Sequence, residues 1–278
     1  MSLSRTTTLH NGVKMPWLGL GVYKVEEGHE VVSSVKTALE LGYRSIDTAS
    51  FYENEEGVGK AIRESGMKRE DLFITTKVWN NEQGYENTLE AFDRSLHKLG
   101  LEYIDLYLVH WPVPGKFVET YKALEHLYEQ GKVRAIGVSN FLIHHLEELR
   151  KEANILPMVN QVEFHPQLFQ KDLLQYCKDN HIQLEAWGPL ARGNYLDDPV
   201  LNELGKKYNK TPAQIILRWD YQHGVVTIPK SIKKHRQEEN AAIFDFELTA
   251  EEMEQINRLN VNKRTGKHPD EFDYAPFL

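Results

Sequence analysis

Eight short apolar runs, each followed by a stretch of helical spacing, constrain this chain more than any other feature. The runs lie at residues 17–22, 44–48, 72–78, 106–110, 135–139, 159–164, 184–188 and 225–229. The helical stretches lie at 30–41, 55–65, 85–99, 117–130, 143–153, 170–180, 199–208 with 211–223, and 234–243, several of them closed by a glycine (Gly42, Gly66, Gly100, Gly131). Runs this apolar are buried on both faces, as parallel strands are. Eight such units with no linker predict an α/β fold, a closed (β/α)8 TIM barrel forming a single domain over residues 1–278. Asn11-Gly12 predicts an N-terminal β-hairpin around residues 9–15. Gly19 and Gly21 mark places where backbone approaches something closely. A last helix at 249–259 opens with Thr249 and Glu252 in capping-box spacing, one of the extra helices expected near the C-terminus.

The net charge of −8 argues against a general nucleic-acid binder. No run approaches the length of a membrane span, and residues 1–6 lack an apolar signal core. The single cysteine, Cys177, lies on a helical pattern and reads as core; it rules out an internal disulfide. The expectation is a cytoplasmic monomer that meets neither membrane nor nucleic acid and acts on a small molecule.

In a barrel of this kind the site lies at the C-terminal ends of the strands. Those ends carry Asp47, Lys77 and His110, with Tyr52 just beyond the first of them. A lone lysine closing an apolar strand is costly unless paired, and Asp47 is a natural partner. A neighbouring ammonium favours a phenolate, so Lys77 is expected to lower the pKa of Tyr52. His110 can donate a hydrogen bond to a carbonyl oxygen and orient it. Together these groups can polarise a carbonyl and deliver a proton to its oxygen. They supply no nucleophile, so a hydride donor is the natural complement.

Later strand ends suit such a donor. Ser139, Asn140 and Gln161 are neutral hydrogen-bonding groups fit for a carboxamide, and Trp187 can stack on a flat ring. Residues 228–236 form the densest basic cluster of the chain, with Lys230, Lys233, Lys234 and Arg236. Cations sit poorly at a helix start, and a bound phosphate resolves that conflict. Neither Gly19-x-Gly21 nor Gly57-x-Gly59 has the third glycine of a Rossmann fingerprint.

Several stretches resemble the aldo-keto reductase superfamily: Gly-Tyr-Arg-Ser-Ile-Asp-Thr-Ala at 42–49 with Tyr52 and Glu55, Leu-Val-His-Trp-Pro at 108–112, and Gly-Val-Ser-Asn-Phe at 137–141. Asn-Gln-Val-Glu-Phe-His-Pro at 160–166 and Ile-Pro-Lys-Ser at 228–231 with Arg236, Glu239 and Asn240 complete the set. In detail the chain looks most like bacterial glyoxal and methylglyoxal reductases, neighbours of the 2,5-diketo-gluconate reductases. The resemblance implies NADP(H) across the barrel mouth and a tetrad of Asp47, Tyr52, Lys77 and His110, with Tyr52 the general acid. It implies a cofactor seat of Gly21, Val22, Tyr23, Asp47, Ser139, Asn140, Gln161 and Trp187. Gly188, Pro189, Leu190, Arg192 and Gly193 would line the pyrophosphate. Pro229, Lys230, Ser231, Ile232 and Arg236 would surround the 2′-phosphate, with Glu239 and Asn240 near the adenine. Tyr23, Trp79, His110 and Trp111 would shape the substrate pocket. Trp187 and Gly188 stand where many members carry Tyr and Ser, and Val22-Tyr23 replaces a common Thr-Trp pair. The loop after His110 and the C-terminal tail are short, which implies an open pocket for small aldehydes, α-dicarbonyls and sugar-derived carbonyls.

Two other readings stay open at the level of sequence. One is an NADPH-holding, redox-sensing regulatory protein of the same fold. The other, weaker, is a metal-dependent hydrolase; the adjacent His144 and His145 are expected to point in different directions on a helix, and His110, His165 and His181 lack ligand spacing.

Overall fold

An antiparallel hairpin opens the chain, β1 (Thr6–Thr8) paired with β2 (Lys14–Pro16). Its turn uses Gly12 at φ 89°, a conformation open to glycine, as Asn11-Gly12 predicts. The computed structural model describes residues 3–278; Met1 and Ser2, part of the domain expected over 1–278 and of the stretch read as no signal core, lie outside the described residues.

Strand and helix then alternate: β3 (Leu20–Gly21), α1 (His29–Glu40), β4 (Ser45–Asp47), α2 (Glu55–Ser65), β5 (Phe73–Val78), α3 (Tyr85–Leu99), β6 (Ile104–Val109) and α4 (Phe117–Glu129). They continue with β7 (Val133–Ser139), α5 (Ile143–Arg150), β8 (Val159–Glu163), α6 (Lys171–Asp179) and β9 (Gln183–Trp187). After β9 come α7 (Pro199–Tyr208), α8 (Pro212–Gln222), β10 (Val226–Thr227), α9 (Lys234–Ala241) and α10 (Ala250–Asn257). Strands β3 to β10 form one parallel sheet in chain order. Its seam is bridged by a Leu18–Thr227 pairing, with Gly19 N–H on Thr227 O at 3.0 Å and Thr227 N–H on Trp17 O at 3.1 Å. This is the (β/α)8 barrel that the alternation predicts.

The glycines of the seam do what their spacing suggests. A Cβ at Gly21 would lie 2.8 Å from Ile228 O, and one at Gly19 would lie 2.9 Å from Ser45 Oγ. Every residue of β5 and β6 is buried, so these strands carry the barrel core on both faces. Thr249 Oγ1 accepts from Glu252 N–H and Glu252 Oε2 accepts from Thr249 N–H at 2.8 Å, the capping box expected for α10.

Element ends differ from expectation by a few residues. The first and last barrel strands have only two residues each, and the last is followed closely by Pro229, which has no N–H to donate. Helix α5 stops at Arg150 rather than 153: the N–H groups of Asn154 and Ile155 turn aside to Glu125 Oε1 at 2.7 and 2.6 Å.

Candidate active site

Asp47 is the last residue of β4, Lys77 lies near the end of β5, and His110 follows β6, so all three face the same mouth. The turn beyond β4 delivers Tyr52. Thr48 N–H binds Thr75 O at 2.9 Å, and Thr48 Oγ1 donates to Asn54 Oδ1 at 2.7 Å. Asn54 is itself anchored through Nδ2 to Val22 O and Val25 O. Ser50 Oγ reaches Lys77 O at 3.1 Å and Glu82 Oε2 at 2.9 Å. A single 3-10 turn, Ser50–Tyr52, therefore sits on a rigid base and ends with the phenol over the barrel.

Lys77 is fully buried and spends its three donors on Asp47 Oδ1 at 2.6 Å, Thr48 O at 2.8 Å and Tyr52 Oη at 3.3 Å. Burial alone pulls its pKa down, but Asp47 and Tyr52 outweigh that, and the ammonium is held above its ordinary range. The expectation for Tyr52 is corrected in sign. Lys77 does pull the phenol down, but burial outweighs it with help from Asp47, and the pKa rises to about 12. Tyr52 is thus a protonated acid at neutral pH, with a fixed ammonium beside the oxygen that would lose the proton. Burial and the Lys77 charge push His110 well below the ordinary histidine range, so its imidazole is neutral.

Around this cluster the neutral groups interlock. Ser139 Oγ donates to Gln161 O at 2.8 Å, and Asn140 Nδ2 contacts His110 O at 3.0 Å and Ser139 Oγ at 3.2 Å. Trp187 donates its indole N–H to Asn140 Oδ1 at 2.9 Å. Gln161 Nε2 donates to Asp47 Oδ2 at 2.7 Å and to Glu185 Oε2 at 2.8 Å, which leaves Gln161 Oε1 without a protein partner. Gly21 and Val22 are buried and already bonded, Gly21 N–H to Pro229 O and Val22 N–H to Asp47 O, whereas Tyr23 is exposed beside Tyr52.

The loop after β9 passes through left-handed conformations at Gly188, Ala191, Arg192 and Gly193, with Pro189 and Leu190 between them. Beyond β10, Pro229 leads to Lys230, Ser231 and Ile232 and on to Arg236 in the first turn of α9. Lys230 and Arg236 are exposed and have no acidic partner among the described residues, while Ser231 Oγ is bound to Lys233 N–H at 3.1 Å. Glu239 is turned to Thr211, whose hydroxyl it accepts at 2.7 Å, and Asn240 beside it is buried. An open carbonyl acceptor, a half-buried indole and unpaired cations at a helix start fit a dinucleotide with a carboxamide at one end and an extra phosphate at the other.

The substrate side is more aromatic than the sequence suggests. Trp79 packs edge-on to His110 at 5.0 Å and stacks on Phe51 at 3.8 Å. Phe272 lies 4.6 Å from Trp111, and Phe277 meets Trp79 at 6.0 Å. Lys116 Nζ donates to Phe277 O, and Gln83 Nε2 holds Trp111 O at 2.7 Å. The short tail thus walls one side of a mouth expected to be open. Phe51, Gln83, Phe272, Phe277 and Glu185 were not among the expected site residues. Glu185 carried a usable signal, a carboxylate inside an apolar strand, the same kind that singled out Lys77.

Two further expectations can be settled here. His144 and His145 do not diverge: both reach Asp270 Oδ1, at 3.0 and 3.4 Å, because residues 268–271 fold back over the start of α5. His145 Nδ1 accepts Leu142 N–H at 3.1 Å, which puts the ring proton on Nε2, the atom facing Asp270. That tautomer makes an ion-pinning contact and leaves no lone pair there for a metal. Cys177 is buried and its thiol is pushed up to about 12 by burial, so it is unreactive core.

Comparison with known proteins agrees with this geometry. A profile of the Aldo/keto reductase family matches residues 18–261. Glyoxal reductase of Bacillus subtilis (strain 168) is 64% identical over 270 residues, covering 97% of this chain and 98% of that protein. Methylglyoxal reductase DkgA of Salmonella typhimurium is 48% identical over 268 residues, covering 95% of this chain and 96% of its own. The crystal structure of a Bombyx mori aldo-keto reductase in complex with NADP superimposes with a TM-score of 0.91 at 37% identity, covering 97% of each chain.

Proposed function

Because the chain belongs to the aldo/keto reductase family, we propose that the Asp47–Tyr52–Lys77–His110 cluster is the catalytic centre of its carbonyl reduction. The protein is an NADP-dependent oxidoreductase that reduces carbonyl compounds to alcohols. Its substrates are small aldehydes and α-dicarbonyls such as glyoxal and methylglyoxal, a reading supported by the relatives' names and by the aromatic rings beside His110. The contact that carries the reading is Lys77 Nζ, bonded at once to Asp47 and to the phenol of Tyr52.

Reduced nicotinamide, when bound, supplies the hydride that the carbonyl carbon receives. The chain's own residues do the rest. Neutral His110 orients the carbonyl oxygen beside Tyr52. Tyr52 gives that oxygen its proton, and Lys77 stabilises the phenolate left behind, itself held in place by Asp47 and Thr48 O. Ser139, Asn140, Gln161 and Trp187 would seat the nicotinamide; Lys230, Ser231 and Arg236 would take the 2′-phosphate. Phe51, Trp79, Trp111 and Phe272 would line the substrate side of the mouth with aromatic surface.

The alternative of an NADPH-holding regulatory protein has no support: the relatives described above are reductases. Among the described residues no helix is long and apolar enough to cross a membrane. A cytoplasmic monomer is the reading we carry forward. NADPH oxidation followed across glyoxal, methylglyoxal, simple aldehydes, ketoses and steroids tests the substrate class. Turnover confined to steroids, or absent with all of them, would overturn it.

A further inference from the structure

Glu185 is a buried acid that the reaction as described leaves unused. It lies in β9, in register with Gln161 of β8, and has no exposed surface. Its Oε2 accepts from Gln161 Nε2 at 2.8 Å, while its Oε1 is buried without a partner. The same Nε2 donates to Asp47 Oδ2 at 2.7 Å. A primary amide has two N–H bonds, so both are spent inside the barrel, between two carboxyl groups. Turning the amide over would set its carbonyl oxygen against the Asp47 carboxylate and strand an N–H at the mouth. Held as it is, Gln161 offers the mouth one polar atom, Oε1, which can only accept.

Asn140 is less free to act in this way. Its Oδ1 already accepts the Trp187 indole N–H and keeps one lone pair, and its Nδ2 faces His110 O and Ser139 Oγ. A group seated against Gln161 must therefore bring an N–H. Burial, with the Asp47 charge next, raises the Glu185 pKa to about 8, so at neutral pH this carboxyl carries its proton and adds no second charge beside Asp47.

We propose that Glu185 is a positioning residue: with Asp47 it locks the Gln161 amide so that its carbonyl oxygen faces the nicotinamide carboxamide, and thereby makes the site selective for a carboxamide over a carboxylate. This rests on the cofactor reading above and deepens it. Glu185 itself touches neither substrate nor reacting atoms.

The test is equilibrium binding to the full-length apoprotein at pH 7, read by calorimetry. The probes are NADP⁺ and its deamido analogue, in which the carboxamide is a carboxylate. Wild type should favour NADP⁺ by about tenfold or more, the worth of one hydrogen bond plus one repulsion. Glu185→Leu should weaken NADP⁺ about tenfold and bring the two ligands closer together, because Gln161 is then held by Asp47 alone. Glu185→Gln matches the neutral acid in shape and keeps an acceptor for Gln161; it should stay within about threefold of wild type on both ligands. Should Glu185→Leu fail to fold, Glu185→Thr, polar but too short to reach Gln161, takes its place. Unchanged discrimination in a folded Leu or Thr variant overturns the proposal, as does wild type that binds both ligands equally. Wild type that binds neither overturns the cofactor reading and the proposal with it.

Discussion

Trp187 and Gly266 lie in close contact: a Cβ at position 266 would lie 2.4 Å from Trp187 Cη2. The segment that brings Gly266 there is tied down by Glu163, which accepts from Thr265 N–H and Oγ1, both at 2.6 Å, and from Gly266 N–H at 3.1 Å. The larger indole, where a smaller ring is common in the resemblance, is thus matched by the one residue without a side chain. Gly266→Ala should cost about 1–3 kcal/mol of stability or push the indole into the cofactor seat. Thermal unfolding and NADPH binding by tryptophan quenching report the two effects. Trp187→Tyr added to Gly266→Ala should recover part of the loss, a coupling that a double-mutant cycle measures. Unchanged Tm and affinity in the single variant would count against the fit.

Tyr52→Phe keeps the ring that packs 5.7 Å from His110 and 5.0 Å from Tyr23 and removes only the hydroxyl. Methylglyoxal reduction should fall by about 10²–10⁴ in kcat, the usual worth of a positioned general acid. NADPH affinity should hold within about twofold, since among the described residues the hydroxyl's one hydrogen bond is from Lys77. Wild-type turnover in this variant would remove Tyr52 from the role of acid.

The barrel was legible because eight units repeat one pattern, and each apolar run such as 72–78 or 106–110 needs a buried place. The convergence of the proposed site was legible because a barrel sends strand ends to one mouth, so Asp47, Lys77 and His110 meet however far apart they lie in sequence. Lys77 stood out as one cation in an apolar run, and Glu185 could have stood out likewise. The sign of the Tyr52 shift was not legible, since it depends on how much burial the folded site imposes against one ammonium. Phe272 and Phe277 sit in a tail with no periodicity, so nothing local says that they return to Trp111 and Trp79. His144 and His145 meet at Asp270 only because the same tail folds over α5.

Lys230 and Arg236 are exposed and unpaired near the start of α9, where cations oppose the helix dipole. Lys230→Ala and Arg236→Ala should therefore leave Tm unchanged or slightly higher. Each should raise the KM for NADPH by about tenfold or more and leave that for NADH nearly unchanged, since only NADPH carries the 2′-phosphate. The preference for NADPH should also weaken with added salt in wild type and much less in the double variant. Equal effects on both cofactors would place these cations elsewhere than at the 2′-phosphate.

Glu252 joins α10 to α7 through Lys207 Nζ at 2.5 Å and Tyr208 Oη at 2.6 Å. Burial alone would raise its pKa, but these bonds and the Thr249 cap outweigh it, and the carboxyl is held at about 2. A folded pKa below the unfolded one, near 4.5, means that its stabilisation is fully present above pH 4.5 and is lost as pH falls towards 2. Glu252→Gln should cost about 1–2 kcal/mol at pH 7, and the gap in unfolding free energy should close on acidification. A gap independent of pH would show that packing, not the charge, holds α10.

The pH profile of catalysis separates Tyr52 from His110. On the proposed mechanism reduction needs Tyr52 protonated, a form present below its pKa of about 12 and lost as pH rises through it. It needs His110 neutral, a form present above a pKa held well below the ordinary histidine value by burial and by Lys77. Between about pH 6 and 9 neither group titrates, so kcat/KM for methylglyoxal should be flat there. Alcohol oxidation runs the proton the other way and needs the phenolate as base, so its rate should climb with pH across the same range. Lys77→Met should leave the buried Asp47 carboxylate unpaired, cost about 3–5 kcal/mol of stability and remove the charge that stabilises the phenolate. The oxidation limb should then lie at still higher pH in any folded Lys77→Met protein, or disappear. An inflection near pH 6.5 in wild-type reduction, absent from His110→Asn, would mean instead that His110 works as a titrating acid rather than as a neutral donor.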